Sequence, residues 1–267
     1  MTGTVELERP TTMPASHTER GHKRASLLTL TGVELRKLAD TRAGLWLLIV
    51  IALGVILTHV VMLATEEPRS AANFAELMGF AQIPVSILLP VLGILAMTGE
   101  WSQRTALTTF ALVPARGRVI TAKLLAAVVI ALITTAMTAG TSALANLAAI
   151  AMDGDGSWTL QPEALLGFAA LEIAYILMGS AFGALLLNSP LAIVLYFVVP
   201  TLWTTLGAMI SWLRDAAAWL DMNTTSLPIG DADVTSGEWA RFGVSVLFWV
   251  AVPLILGTIR IMRREVN

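Results

Sequence analysis

The chain has 267 residues, 56% of them apolar and only 13% charged, and its mean hydropathy is +0.74. A soluble domain carries about 25% charge, so these charges are too few to cover a water-facing surface and the default solvent is lipid. Absence of cysteine excludes disulfides, zinc–thiolate sites and thiol catalysis; only His59 of the three histidines (His17, His22, His59) lies in an apolar segment, which argues against a multi-histidine metal site. The net charge of -2 is near neutral, and no nucleic-acid partner is expected.

Residues 1–25 hold Pro10, Pro14 and many Thr, Ser and Glu, and read as a disordered tail. They are not read as a cleavable signal peptide, because the first apolar run starts late and is long enough to span. Residues 26–42 read as an amphipathic helix on the membrane surface. At 100° per residue Leu27, Leu28, Leu35, Leu38 and Ala39 share one face, and Glu34, Arg36, Lys37 and Asp40 the other. Leu30 and Val33 break the pattern. A plain cytoplasmic extension of the first span is the simpler alternative.

A membrane helix needs about 20 mostly apolar residues. Six segments qualify, near 44–64, 80–97, 120–152, 165–187, 191–213 and 242–262. The fold class is therefore all-α, a polytopic membrane protein of six transmembrane helices spread over residues 26–267. The third span exceeds the required length and should tilt or protrude. Spans four and five are separated by Asn188, Ser189 and Pro190 alone, which forces a tight antiparallel hairpin. Pro84 and Pro90 in span two, Pro200 in span five and Pro253 in span six should kink their helices or free carbonyls. The outer loop 214–241 begins with a short interfacial helix around Trp212 and Trp219.

Lys and Arg set the orientation. With the N-terminus inside, 14 of 17 basic residues fall on the cytoplasmic side, and only Arg69, Arg214 and Arg241 fall outside. The positive-inside rule then gives a multi-pass protein of the cell membrane with both termini cytoplasmic.

The polar segment between spans two and three, residues 99–118 leading into Lys123, is the main functional clue. Trp101 to Leu112 can form about three helical turns, and Pro114 stops them. Arg116, Arg118 and Lys123 cluster beyond the proline. A topogenic basic loop would explain the arginines. It would not explain an apolar, threonine-rich helix carrying Trp101 and Phe110, which suits docking into a protein groove.

Glu100-Trp101-Ser102, Thr108-Thr109-Phe110, Val113-Pro114, Arg116 and Ala122-Lys123, in that order, resemble the type-2 ABC transporter permeases, especially actinobacterial members. Six spans, inward termini and an N-terminal interfacial helix fit the same resemblance, which runs from about Leu27 to the end. Arg104 departs from it, standing where many relatives have Gly. The resemblance implies a membrane subunit of an exporter, with no catalytic site and no cofactor of its own. Its implied partners are a separate ATP-binding subunit carrying ATP and Mg, a second copy or homologous permease, and membrane lipids. It also implies a cytoplasmic coupling helix in the hairpin that docks on the ATPase, with Glu100, Phe110, Pro114 and Arg116 as contacts. Trp101, Arg104 and Arg118 join them on their chemistry. The chain has no Gly-x-x-x-x-Gly-Lys-Ser/Thr phosphate loop of its own. The spans suit an amphipathic or lipid-like cargo.

Two further features stand out. Glu172 lies inside span four, where a carboxylate is costly and usually faces a cavity, a partner or the protein interior. His59 lies at a comparable depth in span one. The two either pair and line an outward translocation route, or each reaches separately toward the interface or a packing contact. Gly179 and Gly183 form a Gly-x-x-x-Gly stripe on span four, for helix packing within one bundle or between two subunits. Two other function classes are weighed against the exporter. An intramembrane enzyme needs convergent catalytic groups, and only Glu172 and His59 are embedded. An assembly factor or sensor has no use for a docking hairpin.

Overall fold

The computed structural model describes residues 26–65, 70–103, 115–158, 162–231 and 233–263. The predicted tail, Arg104, Phe110 and Pro114 lie outside them. The described residues are helical without strands, and six helices are long and apolar enough to cross a membrane.

Helix α1 (Leu27–Asp40) is capped by Ser26, whose hydroxyl accepts from the Thr29 amide at 3.1 Å. Thr41 ends it and caps α2 (Arg42–Ala64) through the Gly44 amide, so one residue makes the corner into the first span. Span two is α3 (Phe74–Ser102), capped by Asn73, and span three is α4 (Arg116–Ala151). The 36 residues of α4 extend roughly 54 Å at 1.5 Å per residue. The predicted excess length is real, since a bilayer core is about 30 Å thick.

Spans four and five are α5 (Pro162–Leu186) and α6 (Ser189–Met209). Their junction is tighter than expected: Ser189 and Pro190 already belong to α6, leaving Leu187 and Asn188 between the helices. Leu187 takes a positive φ of 53° to make the turn, and Asn188 caps the Leu191 amide at 3.0 Å. Beyond α6 come a 3-10 turn, α7 (Arg214–Leu220), α8 (Met222–Ser226) and a second 3-10 turn, Leu227–Gly230.

The last span starts as α9 (Ser236–Val246), fixed by a capping box between Thr235 and Glu238. It passes through a π-helical turn (Leu247–Ala251) into α10 (Val252–Arg263). Pro253 has no amide to offer the Trp249 carbonyl, and the Val252 amide instead bonds Leu247, five residues back. The predicted proline bend is thus absorbed as a widened turn. The Trp249 indole is anchored to the Leu220 carbonyl at 2.6 Å.

Helices α3 and α5 form the centre of the bundle. Their seam depends on missing side chains. A Cβ on Gly179 would lie 2.1 Å from the Pro90 carbonyl oxygen, one on Gly183 would lie 2.9 Å from that of Ile94, and one on Gly93 2.3 Å from that of Ile176. The Gly-x-x-x-Gly stripe therefore packs within this bundle, against span two. Around the seam, Ile94, Met178, Phe182, Tyr196 and Trp249 form one apolar core, and Val55, Val85, Leu89, Ile130 and Ile176 a second.

Candidate functional site

Helix α1 has a different inner face from the one its periodicity suggests. Thr31, Glu34 and Leu38 are buried, whereas Leu28 is 83% exposed. Glu34 was expected on the polar outer face, and this is corrected: it points into the protein. The reason is a charge partner remote in sequence. Glu34 meets Lys123 of α4 at 2.7 Å and Lys37 of its own helix at 2.7 Å. Glu100, near the end of α3, meets Lys37 at 2.9 Å and Lys123 at 3.4 Å. The four groups form a closed square of two carboxylates and two ammoniums. Lys123 also donates to the Ala96 carbonyl at 3.0 Å. Glu34, Glu100 and Lys123 are buried, and Lys37 forms the outer corner with 41% of its side chain exposed. Burial alone would lower the Lys37 pKa, but the Glu34 and Glu100 carboxylates outweigh it and hold the ammonium above its ordinary value.

This square sits at both stems of the segment expected to dock an ATPase. Glu100 precedes the segment and Lys123 follows it. Thr98 and Ser102 hydrogen-bond Ser189 at 2.7 and 3.1 Å, tying the same end of α3 to the start of α6. Trp101 and Ser102 are the last residues of span two, not the first of a separate helix. Trp101 packs against the apolar cluster formed by Met97, Ile120, Ala184, Leu187 and Ile261. Arg116 donates to the Ile261 carbonyl at 2.8 Å and Arg118 is half-buried, so both belong in part to the bundle. Arg260 donates to the Leu185 carbonyl and fastens α10 to the same end. Of the seven expected contacts, Glu100, Trp101, Arg116 and Arg118 are thus gathered at one end of the bundle. Sequence reasoning missed Glu34, Lys37 and Lys123 as a unit. The available signal was three charges placed at the margins of apolar helices, each requiring a partner.

The second polar site is within the spans. Glu172 is fully buried and accepts from Gln82 at 3.2 Å and Thr138 at 3.4 Å. His59 Nε2 lies 3.2 Å from the Leu77 carbonyl and 3.1 Å from the Ser142 hydroxyl. The two residues do not pair with each other; each has its own partners. The carbonyl contact assigns the proton to Nε2, making the imidazole a donor toward Leu77. Glu172 Oε2 and Gln82 Oε1 are buried without a hydrogen-bond partner. No group of three or more metal-ligating side chains occurs among the described residues.

Neither a family model nor a curated protein sequence matches the chain.

Proposed function

We propose that the chain is the membrane subunit of an ATP-binding-cassette exporter. ATP and Mg are then bound by a separate ATPase chain, the basic end of the bundle faces the cytoplasm, and a second copy or a homologous permease completes the transporter. The observation that carries this reading is the ionic square at the stems of the 104–114 segment. An element that converts an ATPase's movement into movement of spans must be rigidly joined to several helices at once. Glu100 and Lys123 supply that joint: both stems are locked to each other and, through Glu34 and Lys37, to α1. A push on the segment then moves α1, α3 and α4 as one body, and the Ser189 bonds carry it to α6. The order of residues from Glu100 to Lys123 supports the same reading by its resemblance to the type-2 permeases.

The test is co-purification from the source cells in mild detergent. The chain is expected to bring down an ATP-binding-cassette ATPase. Arg116 bonds within the bundle, so the informative variant is Arg104→Ala with Phe110→Ala, which should reduce the recovered ATPase, with the variant's thermal stability measured beside it to separate lost docking from lost folding. Full recovery of the ATPase with this variant sinks the docking assignment.

A further inference from the structure

At the end of the bundle opposite α1, helices α3 and α5 and the Leu227–Gly230 turn enclose an open cavity of about 740 Å³. Small-molecule sites span about 300–1,000 Å³, so the space suits a ligand of drug size. Helix α3 presents Glu76, Gly79, Phe80 and Ile83 to it, a stripe at three- and four-residue spacing. Phe168 of α5 supplies a second aromatic wall, and Asp231 a second carboxylate at the mouth. Among the described lining residues there is no Lys, Arg or His to offset the two acids.

Gln82 lies between the acidic mouth and the buried Glu172. Its amide group donates to Glu172, which leaves its carbonyl oxygen without a donor, and the second oxygen of Glu172 is also unpartnered. Buried acceptors in native proteins nearly always have a donor. A cavity rimmed by the carboxylates of Glu76 and Asp231, walled by Phe80 and Phe168 and lined by no described basic side chain is a place for positive charge on an apolar body. Aromatic faces add attraction for such a cation.

We infer that this cavity binds an amphipathic organic cation, its charged end toward Glu76 and Asp231 and its apolar body against Phe80 and Phe168. That such a molecule is exported rests on the function proposed above; that it binds does not.

The experiment is equilibrium dialysis of the full chain in nanodiscs, with empty nanodiscs as background. The probes are benzyltrimethylammonium and benzylsulfonate, each a charged end on an aromatic body, close in shape and opposite in charge. Saturable binding of the cation and none of the anion is expected. Glu76→Gln with Asp231→Asn changes two exposed side chains, so folding is spared, and it should weaken cation binding about tenfold. Gly79→Phe tests the location independently. A Cβ at Gly79 meets nothing within 4 Å, so the ring enters open space and should block the cavity. Equal saturable binding of both probes, no binding of the cation, or wild-type cation affinity in either variant overturns the assignment. Because no ATPase is involved, loss of the exporter reading in the co-purification experiment leaves this result standing, and the reverse holds too.

Discussion

Glu34 and Lys123 are 89 residues apart in sequence and meet at 2.7 Å in a buried contact. Each is needed by the other, because an uncompensated buried charge costs more than the pair contributes. Lys123→Met leaves Glu34 and Glu100 facing a single, half-exposed Lys37. It is expected to destabilise the chain by about 3 kcal/mol, the lower end for a broken buried pair. Adding Glu34→Gln removes one surplus charge and should recover part of that loss. Thermal unfolding in detergent, in a double-mutant cycle, measures the coupling. Additive losses would show that the two residues act independently.

The same square gives a pH dependence at its alkaline edge. Lys37 has a folded pKa above its ordinary value of 10.5. A raised lysine contributes stability that is complete below the unfolded pKa and is lost as pH climbs through the folded one. The midpoint of thermal unfolding should therefore fall as pH rises above the ordinary lysine value of 10.5. Lys37→Arg keeps its charge across that range, and its fall should be shallower. Identical alkaline profiles for the two proteins would remove Lys37 from the effect.

The six apolar helices and the helix before them were legible because length and hydropathy are properties of local composition. Which way a helix turns about its own axis is not local. The periodicity of α1 put Glu34 outside because a lone glutamate prefers water; only Lys123, on another helix, reverses that preference. Depth alone places Glu172 level with His59, yet depth says nothing of rotation. On the actual faces Glu172 meets Gln82 and Thr138, and His59 meets Leu77 and Ser142. Gly179 announced a close approach, but its partner, the Pro90 carbonyl, carries no sequence signature of its own.

Glu172 offers a test of whether the proposed exporter passes its cargo along span four. Glu172→Gln keeps the volume of the side chain and an oxygen to accept from Thr138 and Gln82, while removing the capacity for charge. Expression and thermal stability should be close to those of the parent. On the exporter reading, export measured in cells that carry the chain with a co-purified ATPase should fall several-fold. Normal export at normal expression would remove Glu172 from the route and leave it a packing residue.

The α3–α5 seam makes a stability prediction with an internal control. At Gly179 a methyl group would lie 2.1 Å from the Pro90 carbonyl oxygen and 2.7 Å from its carbon, both backbone atoms that no rotamer change can withdraw. Gly179→Ala must therefore push α3 and α5 apart, and overpacking of this kind costs about 1–3 kcal/mol. At Gly140, in α4, an added Cβ meets nothing within 4 Å. Gly140→Ala should be neutral or stabilising by up to about 1 kcal/mol, the helix preference of alanine over glycine. Both variants are single methyl additions to glycines inside long apolar helices, so a general intolerance of change would affect them alike. Thermal unfolding that ranks Gly179→Ala well below the parent and Gly140→Ala at or above it fixes the seam between spans two and four. Equal midpoints for the two variants would mean that Gly179 does not face Pro90.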